Sequence, residues 1–486
     1  MSPNKHHESK RDKHTCKIKH DKVKKSFKGP TGFNIVPSDA NCATGEKDYL
    51  VVVNQSIVFY DKCTNKINAQ YFLSNFTAST RVTNQPFFPT TLPTSSPYIV
   101  YDPHVKRFVM VCTAITDDTD ATIYFAISKG ETFCDYLNDW YKYTIDLGYD
   151  GASLPDSPKI GFDEKAYYIT ARVFLPGPTQ EDRIYGFTKR EVLKGDPIAE
   201  VVNVAFTSVD YLQPLKVYDC SSPMVFAAAD ITSNPATTIS FITIYNFTTI
   251  TGPTAFTVDP YFQPGDAPQL GGIDLSTVGA VFTSGSLRCG HVWLAQTVGL
   301  SNGNVKVRWY DILYDGSVFT ANQSQTIGLC DNVAYFIPHI DVDQHGNMGL
   351  GFSALDALNP NGADIGFVGR MKNDLPNTTH PIKIVKCGEG IYNFQDADVN
   401  AWGAYSGLCF DPSEEKLFWL VGQYGFDTSI ITASYKTHNA LMKLSESNVC
   451  CQHSLIQIPI NNANTNNGLV PLTLHTMSRG PRIADF

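Results

Sequence analysis

Two aspartates in Asp341-Val342-Asp343-Gln344-His345-Gly346-Asn347 stand two positions apart ahead of a glycine turn, which puts both carboxylates on one side of a strand and suggests a calcium loop. The rest of an EF-hand-type ligand set is absent, because Phe352 occupies the position where a bidentate Glu would close the loop. The segment reads more simply as a hairpin turn, and Asp341 and Asp343 remain the calcium candidates. No other metal or cofactor set emerges. Asp156, in Pro155-Asp156-Ser157-Pro158, is the candidate acid: it could project from the start of a strand toward a ligand, or merely cap a proline-flanked turn. A glycosidase of the sialidase kind needs a carboxylate pair or a tyrosine nucleophile, with cationic groups for an acidic sugar. Arg172, after Ala171 at a strand end, and Arg370, after Gly369, are the two cations to test first, since Arg107 and Arg308 fall within strands. Asp156, Arg172 and Arg370 do not complete a catalytic set. The chain holds no Ser-x-Asp-x-Gly-x-x-Trp box, Gly-x-Ser-x-Gly, His-Glu-x-x-His, Walker loop or dinucleotide fingerprint.

The elements that must carry these residues repeat. An apolar strand, an Asp-containing turn and a second apolar strand recur around Asp61, Asp102, Asp163, Asp219, Asp343 and Asp411, with a weaker Gly-Ser copy over Ser286 to Gln296. From Asp102 to Asp411 the period is about 62 residues, above the roughly 40 to 50 of the common propeller repeats, and it fits four-stranded blades with generous loops. The fold expected is all-β, a seven-bladed β-propeller of antiparallel four-stranded blades over 46–460. Six blades stay open, because the first copy lies only 41 residues before the second and could close the last blade. Short helical turns are expected at Glu131 to Trp140 and Lys189 to Lys194, and 461–486 reads as a C-terminal tail.

Charge is segregated along the 486 residues. Residues 1–28 hold ten Lys or Arg against three acids, whereas 29–486 hold 28 basic against 44 acidic residues, a net of −16. Residues 1–30 therefore read as a basic, disordered arm able to touch a polyanion, or as a solvated leader, and its removal is expected to leave the fold intact. His6, His7, His14, His20 and Cys16 lie there without zinc-finger spacing. Neither a secretory signal nor a run of about 18 apolar residues is found, so no membrane span is expected, and the location stays open between a virion, the cytoplasm and others.

Twelve cysteines without a Cys-x-x-Cys are either buried thiols or a few disulfides between strands. Cys42 with Cys63, and Cys112 with Cys134, are near enough in sequence to share a sheet. At most one of Cys450 and Cys451 is expected to be paired. Five Asn-x-Ser/Thr sequons, at Asn54, Asn75, Asn246, Asn322 and Asn377, read as chance occurrences.

The blocks Tyr101-Asp102-Pro103, Pro155 to Gly161, Val307-Arg308-Trp309-Tyr310, Gly366 to Arg370 and Trp402-Gly403-Ala404-Tyr405-Ser406-Gly407 resemble, in order, a family of secreted-type β-propeller proteins of bacteria and large DNA viruses. The resemblance covers nearly all of 46–437. It implies the propeller fold and no chemistry, since the family has no firmly assigned activity. Where that family reads Arg-Trp-Gly-Asp-Tyr-Ser-Gly, this chain has Ala401 and Ala404, so charges at those two positions are lost together. That departure argues against chemistry at the motif. The function expected is a non-enzymatic propeller presenting loop surfaces to a protein or glycan partner, as a virion-associated component. A sialidase-like glycosidase or a lectin-like binder at the propeller mouth is the alternative.

Overall fold

The computed structural model describes residues 20–33, 37–74, 85–114, 122–147, 153–176, 179–329, 332–396, 399–426 and 434–446, all within the compact unit Met1–Asn448. The expected tail over 461–486, with Cys450 and Cys451, lies outside the described residues. Five four-stranded antiparallel sheets and one nine-stranded sheet carry the fold. The nine-stranded sheet is two four-stranded meanders, 154–206 and 282–326, joined through the two-residue strand Lys216–Val217, which pairs in parallel with Phe162 on one side and with Ser286 and Leu287 on the other. The result is seven blades: 41–72, 94–146, 154–206, 213–261, 282–326, 333–386 and 407–443, numbered here in that order. Their first strands pack one against the next, and the first strand of blade 7 returns to that of blade 1, so the ring is closed.

Strand formation follows the alternation of β-branched and aromatic residues, and the apolar clusters lie between successive blades. A blade buries both faces only by stacking on its neighbours. Copies two to seven of the repeat each mark the first two strands of a blade. The first copy is out of phase: Asp48–Val53 and Ser56–Asp61 are the second and third strands of blade 1, behind the inner strand Asn41–Thr44. That offset explains its short spacing. Of the two expected helical turns one forms, as Lys189–Val192, while Glu131 to Asp139 is a run of bends and turns that leads into the strand Trp140–Asp146.

The turn aspartates do more than close hairpins. Asp411 accepts from the Ser413 amide within its own turn, from the Lys62 ammonium of blade 1 at 2.8 Å and from the Trp419 indole N–H at 2.8 Å. Asp102 likewise accepts from the His104 amide, from the Tyr167 hydroxyl at 2.8 Å and from the Lys189 ammonium at 2.5 Å, both on blade 3. Asp219 takes the amides of Cys289 and Gly290 on blade 5, and Asp343 that of Lys416 on blade 7. Each of these four residues ties its own turn or strand to the next blade around the ring, and at the buried Asp102, Asp343 and Asp411 a lost partner leaves a buried polar group unsatisfied.

The basic arm requires correction. Lys22–Phe33 is a strand, the outermost of blade 7, antiparallel to Ser434–Lys443 from Lys22↔Lys443 to Phe33↔Ser434. The N-terminus thus closes the ring on strands from the far end of the chain. Its inward positions include Phe27, edge-on to Tyr60 and Trp419, and Lys25, whose stem covers apolar surface while its ammonium reaches the carbonyls of Lys62 and Cys63. Val23 and Lys25 are half-buried while Lys22, Lys24, Ser26 and Lys28 face solvent, the period-2 pattern of an edge strand blunted with charge.

Deleting residues 1–28 removes seven of the twelve residues of this closing strand and should lower the melting temperature clearly in scanning calorimetry; an unchanged melting temperature would show that the seam holds without it. Asp411→Ala, which strands the buried Lys62 ammonium, should cost roughly 3–5 kcal/mol in denaturant unfolding, and the double replacement Lys62→Met with Asp411→Leu far less. Equal losses in the two variants would mean that the ion pair is not what the residue supplies.

Candidate functional site

All seven inner strands begin in one way, blade 5 with Gly279 (φ 80°) ahead of the buried Val281 and the other six as follows. A residue at positive φ is followed, two positions on, by a buried side chain: Asp39 (φ 40°) by Asn41, Ser96 (51°) by Tyr98, Ser157 (47°) by Lys159, Tyr211 (54°) by Gln213, Ile337 (49°) by His339 and Gly403 (122°) by Tyr405. Register shifts at Ser95/Tyr98, Asp156/Lys159 and Phe336/His339 show a bulge at this point in three blades. A bulge re-aims the next side chain, here inward across the ring. Tyr98 of blade 2 stacks on His339 of blade 6 and meets Tyr405 of blade 7 edge-on, the Tyr405 hydroxyl donates to Pro158 O of blade 3 at 3.1 Å, and the Lys159 ammonium donates to Phe282 O of blade 5 at 2.8 Å. These side chains fill the channel. Beneath them a cavity of about 20 Å³ has room for one water beside the buried Lys216–Asp341 pair, 2.8 Å apart.

Above that plug, at the end where the inner strands start, lies a mouth of about 280 Å³. Segments leading into blades 1, 2, 3, 4, 5 and 7 line it, with Asp39, Asp156 and Lys159 as its charged side chains and Tyr211, Trp402 and Tyr405 as its aromatic ones. The Trp402 to Ser406 segment is spread over the ring: Trp402 donates to Ser353 Oγ at 2.9 Å, the Ala404 amide to Asp39 Oδ1 at 2.7 Å, and Ser406 Oγ to Ile337 O at 2.9 Å. Gly403 is needed here because its φ of 122° excludes ordinary side chains. Ala401 and Ala404 both line the mouth, so the motif expected to stand away from the chemistry forms one of its walls. Two long connections, 262–281 and 387–406, brace that wall: Gln269 exchanges hydrogen bonds with the main chain of Tyr392, and Asn400 donates to Ile273 O at 2.8 Å.

Electrostatics at the mouth are unusual. Asp39 is buried and burial pushes its carboxyl up to about 6, against the hydrogen bonds from Ala404 N and from Asn54 Nδ2 that favour the anion. Burial likewise brings Lys159 down to about 8, opposed by the more distant carboxylates of Asp182 and Asp156. A carboxyl able to donate and an amine able to shed its proton therefore face one cavity.

The residues singled out from sequence are dispersed. Asp156 lines the mouth and its Oδ2 accepts from Ser157 Oγ at 3.2 Å. Arg172 is its cross-strand partner but stands behind the wall, bound to Asp182 at 2.5 Å, to Asp210 and to Gln180, and stacked on Tyr211. Arg370 lies at the opposite end of the ring, level with Val342, where it donates to Leu375 O and Gln323 Oε1. Asp341 is committed to Lys216, and Asp343 accepts from the amides of His345, Asn347 and Lys416 and from the Asn347 side chain. Among the described residues no group of three or more His, Cys, Asp or Glu is arranged to hold a metal, and no helix is long and apolar enough to cross a membrane. The eight described cysteines are free thiols, Cys42 and Cys63, and Cys112 and Cys134, among them. Cys42 instead approaches Cys409 of blade 7, with the sulfurs 3.9 Å apart. The sequon residue Asn54 is buried, its side chain bonded to Pro37 O, Asp39 and the Ser96 amide.

Asp39, Lys159 and Tyr211 were not recognised from sequence. A signal existed in Ser96-Pro97-Tyr98, Ser157-Pro158-Lys159 and Ile337-Pro338-His339, where a proline stands just before the channel residue in three repeats.

No protein-family model and no curated protein matches the chain. Among solved structures, the neuraminidase-like protein of A/little yellow-shouldered bat/Guatemala is 11% identical over 74% of this chain and 100% of its own, with a TM-score of 0.39. The α-L-arabinofuranosidase Arb93A of Fusarium graminearum is 10% identical over 89% of this chain and 99% of its own, also at 0.39. A protein of unknown function from Dyadobacter fermentans is 10% identical over 72% and 95%, again at 0.39. The propeller assignment rests on the closed ring of inner strands.

Asp39 gives a pH signature. Its folded value of about 6 lies above its unfolded value of about 3.8, so the native state binds the proton more tightly. Its contribution to stability is therefore full below about pH 4 and is lost as the pH rises through 6. Asp39→Asn should flatten that part of the stability–pH curve, measured by urea unfolding between pH 4 and 7. An unaltered curve would place the titration elsewhere.

Proposed function

We propose that the protein is a binding propeller whose ligand, a small neutral polyhydroxylated molecule of the sugar class, sits in the mouth above the channel plug. One observation supports this above the others: the mouth combines two carboxyl groups, a buried amine and the faces of Tyr211, Trp402 and Tyr405. That is the mixture of few convergent polar groups and aromatic surface that a small-ligand site requires. The guanidinium groups an acidic sugar would need are committed elsewhere, Arg172 to its carboxylates and Arg370 at the far end. This favours a neutral ligand over a sialic acid.

A second reading has its own support. Asp39 and Asp156 are a carboxyl pair in one cavity, and Asp39 is raised as a general acid of a glycosidase would be. A glycan array with calorimetric follow-up, run beside a broad glycosidase screen, separates the two. Binding without turnover, weakened about tenfold to a hundredfold by Asp156→Asn through loss of a charged hydrogen bond, is the expected result. Turnover abolished by Asp39→Asn or Asp156→Asn would replace the binder with a hydrolase, and neither binding nor turnover would sink both readings.

A further inference from the structure

Five lysines are buried; Lys306 donates to Val333 O at 2.8 Å and does not line the mouth, and the other four differ in one respect. Lys62, Lys189 and Lys216 each meet a carboxylate, Asp411, Asp102 and Asp341, at 2.8, 2.5 and 2.8 Å. Among the described residues Lys159 has no ion-pair partner. It is 4% exposed, its ammonium donates to a main-chain carbonyl, Phe282 O, and it lines the mouth. Burying a charge without a counter-ion is costly, and the structure meets that cost at Lys62, Lys189 and Lys216 by pairing. Here the side chain lines a cavity instead, the mouth that Asp156 and Asp39 also line. The bulge between Asp156 and Lys159, with Ser157 at positive φ, fixes the side chain in that direction.

We propose that Lys159 is a nucleophilic amine that condenses with the carbonyl carbon of a small hydroxyaldehyde, such as the open-chain form of a sugar, held in the mouth. The neutral amine attacks the carbonyl carbon, a C–N bond forms, and the π pair moves to the oxygen, which takes up a proton. The nitrogen then loses its proton to solvent or to a carboxylate of the mouth, and the hydroxyl, protonated by a carboxyl, leaves as water to give the protonated imine. No oxidant or reductant is consumed. The burial that lowers Lys159 to about 8 supplies the neutral amine near neutral pH, and Asp39, raised to about 6, can hold the proton that dehydration needs.

The proposal takes its carbonyl class from the sugar reading but is tested apart from it. The full chain is incubated with glycolaldehyde and cyanoborohydride, which reduces an imine to a stable secondary amine, and the label is mapped by peptide mass spectrometry. Lys159 should be labelled at least about tenfold faster than the exposed lysines at pH 7, given their ordinary value of about 10.4, with a rate midpoint near pH 8. Label confined to exposed lysines overturns the proposal, and so does Lys159 labelling at only their rate. Sugar binding that survives with Lys159 unlabelled sinks this inference alone. Rapid labelling without sugar binding sinks the proposed function and retains the amine. Because the mapping uses the unaltered protein, the result does not depend on whether Lys159→Met folds.

Discussion

Everything in this molecule depends on closing a ring from a chain whose ends are far apart in sequence. No blade covers its own faces, so each apolar cluster lies between two blades, and the seam between blades 7 and 1 needs the same cover as the rest. The chain supplies it by pairing Lys22–Phe33 with Ser434–Lys443, so the first described strand is the last to be placed in the ring. The buried Lys62–Asp411 pair and the Phe27 contacts with Tyr60 and Trp419 fasten that junction on the side away from the mouth.

The candidate site is a product of the same closure. Lys22–Phe33 is the outer edge of blade 7 and Asn41–Thr44 the inner strand of blade 1, and just ahead of the latter Asp39 faces the Ala404 amide. A carboxyl in an open-ended sheet would be solvated at this position. In the closed ring it is enclosed by blades 7 and 1, and its acidity shifts accordingly. Trp402 to Ser406 extends the effect, because its bonds to Ser353, Asp39, Pro158 and Ile337 reach blades 6, 1 and 3.

The fold was legible where the chemistry of the residue and the geometry of the strand agree. Tyr98 to Asp102 or Val333 to Val342 announce themselves by β-branched and aromatic residues followed by a turn aspartate, and the period of those turns gave the blades. Lys22–Phe33 was missed because its alternation is written in lysines: the inward Lys25 is buried by its stem and not by its head, so composition reads the strand as solvated. The site was harder still. Asp156 was found because prolines flank it, but its cross-strand neighbour Arg172 turns to Asp182 and Asp210 behind the wall, a choice made by side chains that sequence spacing does not reveal. Asp39 and Lys159 stand 120 positions apart and share a cavity only because blades 1 and 3 flank one narrow channel.

The two ends of the ring treat charge differently, and this difference is the strongest reason to place function at the mouth. At the turn end and within the channel Lys62, Lys189 and Lys216 have carboxylate partners, and the turn aspartates have amides as well. That is the arrangement expected when the only demand is to hold blades together. At the mouth, Asp39 and Lys159 are buried with only neutral hydrogen-bond partners, and backbone strain recurs in the segments that carry them. Neither feature adds stability: each unpaired charge shifts toward its neutral form, and each non-glycine residue at positive φ costs about 1 kcal/mol or more. A ring that pairs its charges elsewhere could have paired these too. Their persistence in a cavity of about 280 Å³ is what a site poised for a ligand would show.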